Sequence, residues 1–275
     1  MTDEHPAPSG VDVNTPNVAR MWDYQLGGKD NFAADRAAAE AVNEVLRKAN
    51  VPDGRDAARE NRGFLHRAVR YLAGEAGIRQ FIDIGAGLPT QGNVHEVAQE
   101  LAPEARVVYV DYDPVVLVHS RALLGNDPQA TIIQADMRRP EEILANPELR
   151  NLIDLSEPVA VLLIATLHLI PDEESPAGMV DRLLAALPVG SYLTVTHATR
   201  EGKAEAAAAL TAEFARSRTT APIVPRSRAD IARFLAGVDL VEPGLVYAVD
   251  WRPDPPQPVV GAGWLLAGIG RKSKD

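Results

Sequence analysis

The sequence predicts an α/β protein: a seven-stranded, mostly parallel sheet with a C-terminal antiparallel hairpin and an N-terminal helical cap. Three observations predict it. From Ile78 onward, short apolar runs alternate with helical patterns, the signature of a parallel sheet covered on both faces. The first apolar run ends in Gly85 and Gly87 before a helical pattern resumes at Val94, which opens a βαβ unit. The last two apolar runs are separated by Pro253-Asp254-Pro255-Pro256-Gln257-Pro258, a stiff polar loop without a helix signal, so they pair antiparallel.

Each element has its own justification. Residues 1–14 carry Pro, Asp, Ser and Gly with little to bury, and read as a mobile leader. Residues 15–77 form the cap. Thr15 or Asn17 caps a helix over 18–26 that stops at Gly27-Gly28. An Ala-rich helix runs from Asp35 to about residue 49 and breaks at Pro52-Asp53-Gly54. A third helix, 55–76, ends at Gly77. Residues 78–275 form the sheet domain. Strands are expected at 80–84, 106–111, 130–136, 159–167 and 191–196, then 245–251 and 264–269. Helices are expected near 93–101, 114–124, 140–145, 176–187, 203–216 and 230–235. Asp113 caps the second of these, with Pro114 in its first turn.

Composition narrows the setting. A chain of 275 residues is long enough for one large domain or one domain with an appendage, without disulfide or metal staples. The absence of cysteine fits a reducing compartment and excludes thiol nucleophiles and Cys-ligated zinc. A formal net charge of −10 lacks the electrostatic footprint of a nucleic-acid binder. No apolar run reaches membrane-spanning length, so the expected location is cytoplasmic, without nucleic-acid or membrane partners. Oligomeric state is unreadable.

Acidic residues end successive strands. Asp83 precedes the glycine turn, Asp111 follows it by 28 residues and Asp136 follows Asp111 by 25. Strand ends at one edge of a parallel sheet converge on one crevice. Asp111 is placed to accept from ribose hydroxyls, and Asp136 from an adenine amino group. The alternative is that such aspartates only serve turns and caps, the reading favoured for Asp113. His168 ends the fourth strand; unperturbed, it titrates near neutrality and could take a proton, the alternative being a hydrogen-bonded strand-end histidine. His197 is a weaker candidate, and His66, His95 and His119 read as structural. No His, Asp or Glu group has metal-ligand spacing. Arg216, Arg218, Arg226 and Arg228 read as a solvated face.

Phe81-Ile82-Asp83-Ile84-Gly85-Ala86-Gly87, Val110-Asp111 and Ala135-Asp136-Met137 together resemble the class I S-adenosylmethionine-dependent methyltransferase fold, Rossmann-like with a terminal antiparallel pair. More narrowly, the run from Val18-Ala19-Arg20-Met21-Trp22-Asp23-Tyr24 through Gly27-Gly28-Lys29-Asp30-Asn31-Phe32 is similar to the N-terminal signature of a bacterial S-adenosyl methyltransferase family, long catalogued as a domain of unknown function. Asn61-Arg62-Gly63-Phe64-Leu65, Gly87-Leu88-Pro89-Thr90-Gln91-Gly92-Asn93 and Leu167-His168-Leu169-Ile170-Pro171-Asp172 match it too.

The resemblance implies S-adenosylmethionine as cofactor, S-adenosylhomocysteine as product and a small-molecule methyl acceptor. Asp83, Gly85 and Gly87 would cradle the methionine end, Asp111 the ribose, and Tyr112, Asp136 and Met137 the adenine. Tyr24, Gly27 and Gly28 would close over the methionine end, with Arg20, Lys29 or Arg62 pairing its carboxylate. Leu88-Pro89 departs from the third glycine of many relatives, and Thr90 or Gln91 would supply side-chain contacts instead. Two other readings share parts of this pattern: an NAD-dependent oxidoreductase, against which stand Pro89 and Asp83, and a cofactor-binding regulator without turnover.

Overall fold

The computed structural model describes residues 11–89, 92–125, 127–256, 260 and 263–274. The first ten residues of the expected leader, together with Thr90 and Gln91, lie outside these. Val11 packs against the core, and Asp12 accepts from the Asn14 N–H at 2.8 Å.

The cap forms as three helices with local start and stop signals. Asn17 caps α1 (Val18–Gln25), its Oδ1 accepting from the Ala19 and Arg20 N–H groups at 2.8 and 3.2 Å. The helix stops at Gly27, whose φ of +81° suits glycine. Asp35 closes the start of α2 (Ala33–Lys48) by accepting from the Phe32 N–H at 2.8 Å. Asp53 caps α3 (Gly54–Arg70), which continues as a π-turn over Tyr71–Glu75 before Gly77 ends it.

The parallel strands are β1 (Gln80–Ile84), β2 (Arg106–Asp111), β3 (Ala130–Gln134), β4 (Ala160–Ile164) and β5 (Tyr192–Ala198). β1 pairs with both β2 and β4, giving the order β3-β2-β1-β4-β5. The covering helices are α4 (Val94–Leu101), α5 (Pro114–Leu124), α6 (Pro140–Ala145), α7 (Pro147–Leu152), α8 (Pro176–Ala185), α9 (Ala204–Ser217) and α10 (Arg228–Arg233). Helix α7 is additional to the sequence reading, although Asn146 caps it and Pro147 opens it.

Among the described residues the sheet has eight strands, not the seven expected. β8 (Leu265–Arg271) runs antiparallel to β5, and its other edge takes two short strands, β6 (Asp239–Leu240) and β7 (Val246–Tyr247). Pro243, which has no N–H to give, and Gly244, at φ +87°, fall between them. The strand expected over 245–251 is therefore two residues of ladder followed by a 3-10 turn, Ala248–Asp250.

Side-chain alternation sorts the faces of the sheet. Phe81, Tyr109, Leu162 and Ala198 pack with the cap helices, α4, α5 and α9; Ile82, Val110, Leu163 and Val195 pack with α6, α7 and α8. Asp83 and Asp111 share the parity of Phe81 and Tyr109. Period two thus aims both carboxylates toward the cap side, where the site forms.

Candidate active site

A cavity of about 370 Å³ lies between the cap and the carboxyl ends of the parallel strands, within the range of small-molecule sites. Asp83, Gly85, Gly87, Asp111, Tyr112, Asp136, Met137 and His168 all line it. Tyr24, Gly27 and Gly28 do not.

The glycine turn is set by backbone geometry. Gly85 and Gly87 have φ of +76° and +66°, and a Cβ on Gly85 would lie 2.1 Å from Thr166 Cγ2. The Gly87 N–H donates to Asp111 Oδ2 at 2.9 Å, and the Asp113 N–H donates to Asp111 Oδ1 at 2.9 Å. Each oxygen keeps a further lone pair, so the carboxylate can still accept from two hydroxyls. Burial pushes the Asp111 pKa up, against the pull of these backbone donors.

Asp83 is buried and accepts no hydrogen bond among the described residues. Burial pushes its pKa up to about 7, opposed by the Arg62 guanidinium and reinforced by Asp111. Arg62 also lines the cavity and makes no hydrogen bond or ion pair among the described residues; burial holds its pKa below the ordinary value. A free carboxylate beside a free guanidinium matches the ammonium and carboxylate of an amino acid. Of the three cations considered for that carboxylate, Arg20 is bound to Asp35 at 2.8 Å and Lys29 is exposed off the cavity.

At the other end, Tyr112 is 46% exposed and Met137 packs beside the core. Asp136 is engaged by Arg138, whose backbone N–H and Nε each donate to Oδ1 at 2.9 Å. Although burial raises its pKa, Arg138 holds the carboxyl below the usual range. Any contact of Asp136 with a ligand is therefore shared with Arg138.

The α1 turn faces elsewhere than expected. The Tyr24 hydroxyl donates to Glu40 at 2.7 Å, and its ring lies under the Arg55 guanidinium. Gly28 packs on Asp23: its N–H donates to the Asp23 carbonyl at 2.9 Å, and a Cβ would lie 1.9 Å from Asp23 Oδ1. The cavity wall from α1 and its end includes Val18, Trp22 and Leu26, at spacing four, with Ala19, Met21, Asp23 and Gln25 beside them. Asn17 secures that wall to the sheet domain, donating from Nδ2 to Asp113, which also caps α5 through the Val115 N–H at 2.7 Å.

His168 sits in a 3-10 turn, Leu167–Leu169, just past β4. The ring does not keep its unperturbed titration: burial, with Arg226 nearby, lowers its pKa to about 3. Its Nδ1 accepts from the Ala198 N–H at 3.2 Å, so the proton of the neutral ring belongs on Nε2. Arg226 is not on a solvated face. It is 3% exposed and donates to the Leu167 and Ile170 carbonyls, to Asp172 and to His197 Nε2. It holds the loop after β4 against the end of β5.

Asn61, absent from the candidate residues of the sequence reading, also lines the cavity, on the α3 face shared with Ala57 and Leu65. Its signal was available: one amide in an apolar stripe at spacing four.

The strand order, the glycine turn and the acidic strand ends define a class I methyltransferase-type α/β protein. The S-adenosyl methyltransferase family model matches residues 4–273, and the chain belongs to that family. It is similar to the crystal structure of a DUF574 family protein from Streptomyces avermitilis MA-4680, with 41% identity, 95% of this chain and 99% of that one covered, and a TM-score of 0.87. It is likewise similar to a suspected methyltransferase from Thermobifida fusca YX, with 43% identity, coverage of 97% and 98%, and a TM-score of 0.85. An O-methyltransferase family protein from Burkholderia thailandensis shares the fold at 16% identity, with coverage of 86% and 69% and a TM-score of 0.50. No curated protein matches the chain. S-adenosylmethionine is the cofactor of this family, and the oxidoreductase reading is not favoured.

Proposed function

We propose that the protein transfers the methyl group of S-adenosylmethionine to a small molecule enclosed beneath the helical cap. The observation that carries this is the buried Asp83 carboxylate beside the Arg62 guanidinium, both without a partner among the described residues, at the glycine turn with Asp111. Asp83 takes the cofactor's ammonium, Arg62 its carboxylate and Asp111 its ribose hydroxyls. Tyr112, Met137 and the Arg138-bound Asp136 flank the adenine. The cofactor supplies an electrophilic methyl on a sulfonium. The protein's part is alignment and exclusion of water, which account for most of such a reaction's acceleration. Tyr24, Gly27 and Gly28 act at one remove, by shaping the end of α1. His168 acts as a neutral donor rather than as a base.

A cavity roofed by the cap helices suits a small acceptor better than a polymer. Among the described residues no helix is long and apolar enough to cross a membrane, and the cysteine-free composition supports a cytoplasmic setting. The experiment is a transfer scan: protein, methyl-labelled cofactor and a fractionated cell extract. Label entering the low-molecular-weight fraction is expected. Label entering only protein or nucleic acid would overturn the small-molecule reading, and binding without any transfer would favour a regulator.

A further inference from the structure

The cavity has two chemically distinct halves. Asp83, Asp111, Asp136 and Arg138 gather at the ends of β1, β2 and β3, with Arg62 beside Asp83. Two other charged lining residues are engaged locally: Asp23 by the Asp30 N–H and Asn31 at 2.9 and 2.8 Å, and Glu174 by Arg138 at 3.3 Å. The half over β4, β5 and β8 has no other charged side chain on its lining. Its walls are Val42 and Leu46 of α2, Leu210 and Phe214 of α9, and Trp264 before β8. Helices α2 and α9 pack on each other to close it.

Just past β4, Thr166 also lines the cavity, its hydroxyl without a partner among the described residues, and two polar side chains, Asn61 and His168, both more than nine-tenths buried, interrupt the apolar wall. Strand β5 orients each of them. Thr196 Oγ1 accepts from the Ala165 N–H at 2.8 Å, so its own proton is free to go to Asn61 Oδ1, at 2.7 Å. With Oδ1 accepting, Asn61 is left with its Nδ2 donors, which have no partner among the described residues. His168 Nδ1 accepts from the Ala198 N–H, which leaves Nε2–H as its donor, also without a described partner. Thr196 and Ala198 are two positions apart on one strand face, on the order of 7 Å. The wall therefore offers neutral N–H groups held by one strand. His168 Nδ1 has no lone pair to spare, and Asn61 Oδ1 keeps one beyond its bond from Thr196.

An ammonium here would find donors facing it and no carboxylate. A carboxylate would find no cation, because the nearby Arg226 is occupied by Asp172, two carbonyls and His197. Either charge would be desolvated without a counter-charge. A hydroxyl or carbonyl oxygen carries lone pairs that match the donors and needs no counter-ion.

We propose that the methyl acceptor is an uncharged, largely apolar small molecule that presents a hydroxyl or carbonyl oxygen to Asn61 Nδ2 and His168 Nε2. Its hydrocarbon body lies between α2, α9 and Trp264. This rests on the methyltransferase reading, which assigns the charged half to the cofactor.

The test is equilibrium binding to the protein saturated with S-adenosylhomocysteine, using three probes of one shape: 2-naphthol, 2-naphthoate and protonated 2-naphthylmethylamine. Naphthol should bind at least about ten-fold more tightly than either charged probe. Asn61→Leu should weaken naphthol about ten-fold while leaving S-adenosylhomocysteine affinity unchanged. Thr196→Val, which frees the Asn61 amide to rotate, should weaken it in the same direction. Asn61→Asp should reverse the preference toward the ammonium probe. Equal or tighter binding of a charged probe, naphthol affinity that survives both Asn61→Leu and Thr196→Val, or binding of none of the three overturns the proposal. Failure of S-adenosylhomocysteine itself to bind the unmodified protein would sink the methyltransferase reading instead.

Discussion

Gly87 donates its backbone N–H to Asp111 Oδ2 at 2.9 Å, joining the turn after β1 to the last residue of β2. The carboxylate is thereby fixed before any ligand arrives. Together with the Asp113 N–H on Oδ1, the contact leaves a defined pair of acceptor positions at the mouth of the crevice.

Asp83 carries a cost that function explains. Its pKa in the fold is about 7, against an ordinary 3.8. The folded state holds this proton more tightly than the unfolded chain, so the contribution is complete below about pH 4, falls as pH rises and is lost above about pH 7. Asp83→Asn should therefore raise the Tm of the cofactor-free protein at pH 8 and leave it nearly unchanged at pH 4. The same variant should bind S-adenosylmethionine weakly at every pH, whereas the unmodified protein should lose affinity as pH falls through 7. A variant no more stable at pH 8 would contradict this account of Asp83.

The two glycine sites should separate in their effects. Gly85→Val places a branched side chain at positive φ against Thr166 and should cost cofactor affinity directly. Gly28→Val drives into the Asp23 carboxylate, disturbing the end of α1. It should lower stability by about 1–3 kcal/mol in urea unfolding, with a smaller loss of cofactor affinity than Gly85→Val. Equal affinity losses would place Gly28 in the cofactor wall after all.

His168→Gln keeps a neutral donor but cannot act as an imidazole base. Once an acceptor is in hand, its kcat should stay within about ten-fold of the unmodified protein, without a lost limb between pH 6 and 8. A drop of a thousand-fold or more, on the order expected for removal of a general base, would restore His168 to that role.

Arg226→Met removes a buried cation that binds two carbonyls, Asp172 and His197. The variant should lose about 1–3 kcal/mol in denaturant unfolding, the cost of leaving the Leu167 and Ile170 carbonyls and His197 Nε2 without their buried donor, whereas the exposed Asp172 carboxylate is taken up by water. A loss under about 1 kcal/mol, the scale of a surface pair, would mean that the loop after β4 is held by other contacts.

The parallel strands were legible because each is a short run dominated by apolar and β-branched residues, and the helices between them open on caps or prolines. The acidic strand ends were legible for the same reason: a residue at a strand's end has its position fixed by the strand. Residues on the cap were harder. Tyr24 stands in the same signature as Trp22 and Leu26 but lies two positions from each, about 200° around the helix, and so meets Glu40 and Arg55 rather than the cavity. Arg226 has no local mark of burial. Its partners Leu167, Ile170 and Asp172 are 54 or more residues earlier, and only the β4–β5 pairing brings them close. The edge strands β6 and β7 are two residues each, too short for any periodic signal.

The central claim is that the crevice at Gly85, Gly87 and Asp111 holds S-adenosylmethionine, and isothermal titration of the cofactor into the unmodified protein and into Asp111→Ala tests it most directly. The expected result is one site per chain in the unmodified protein, with affinity at least about a hundred-fold weaker in the variant, the cost of two lost charge-assisted hydrogen bonds. No binding to the folded, unmodified protein at millimolar cofactor, or equal affinity in the variant, would contradict it.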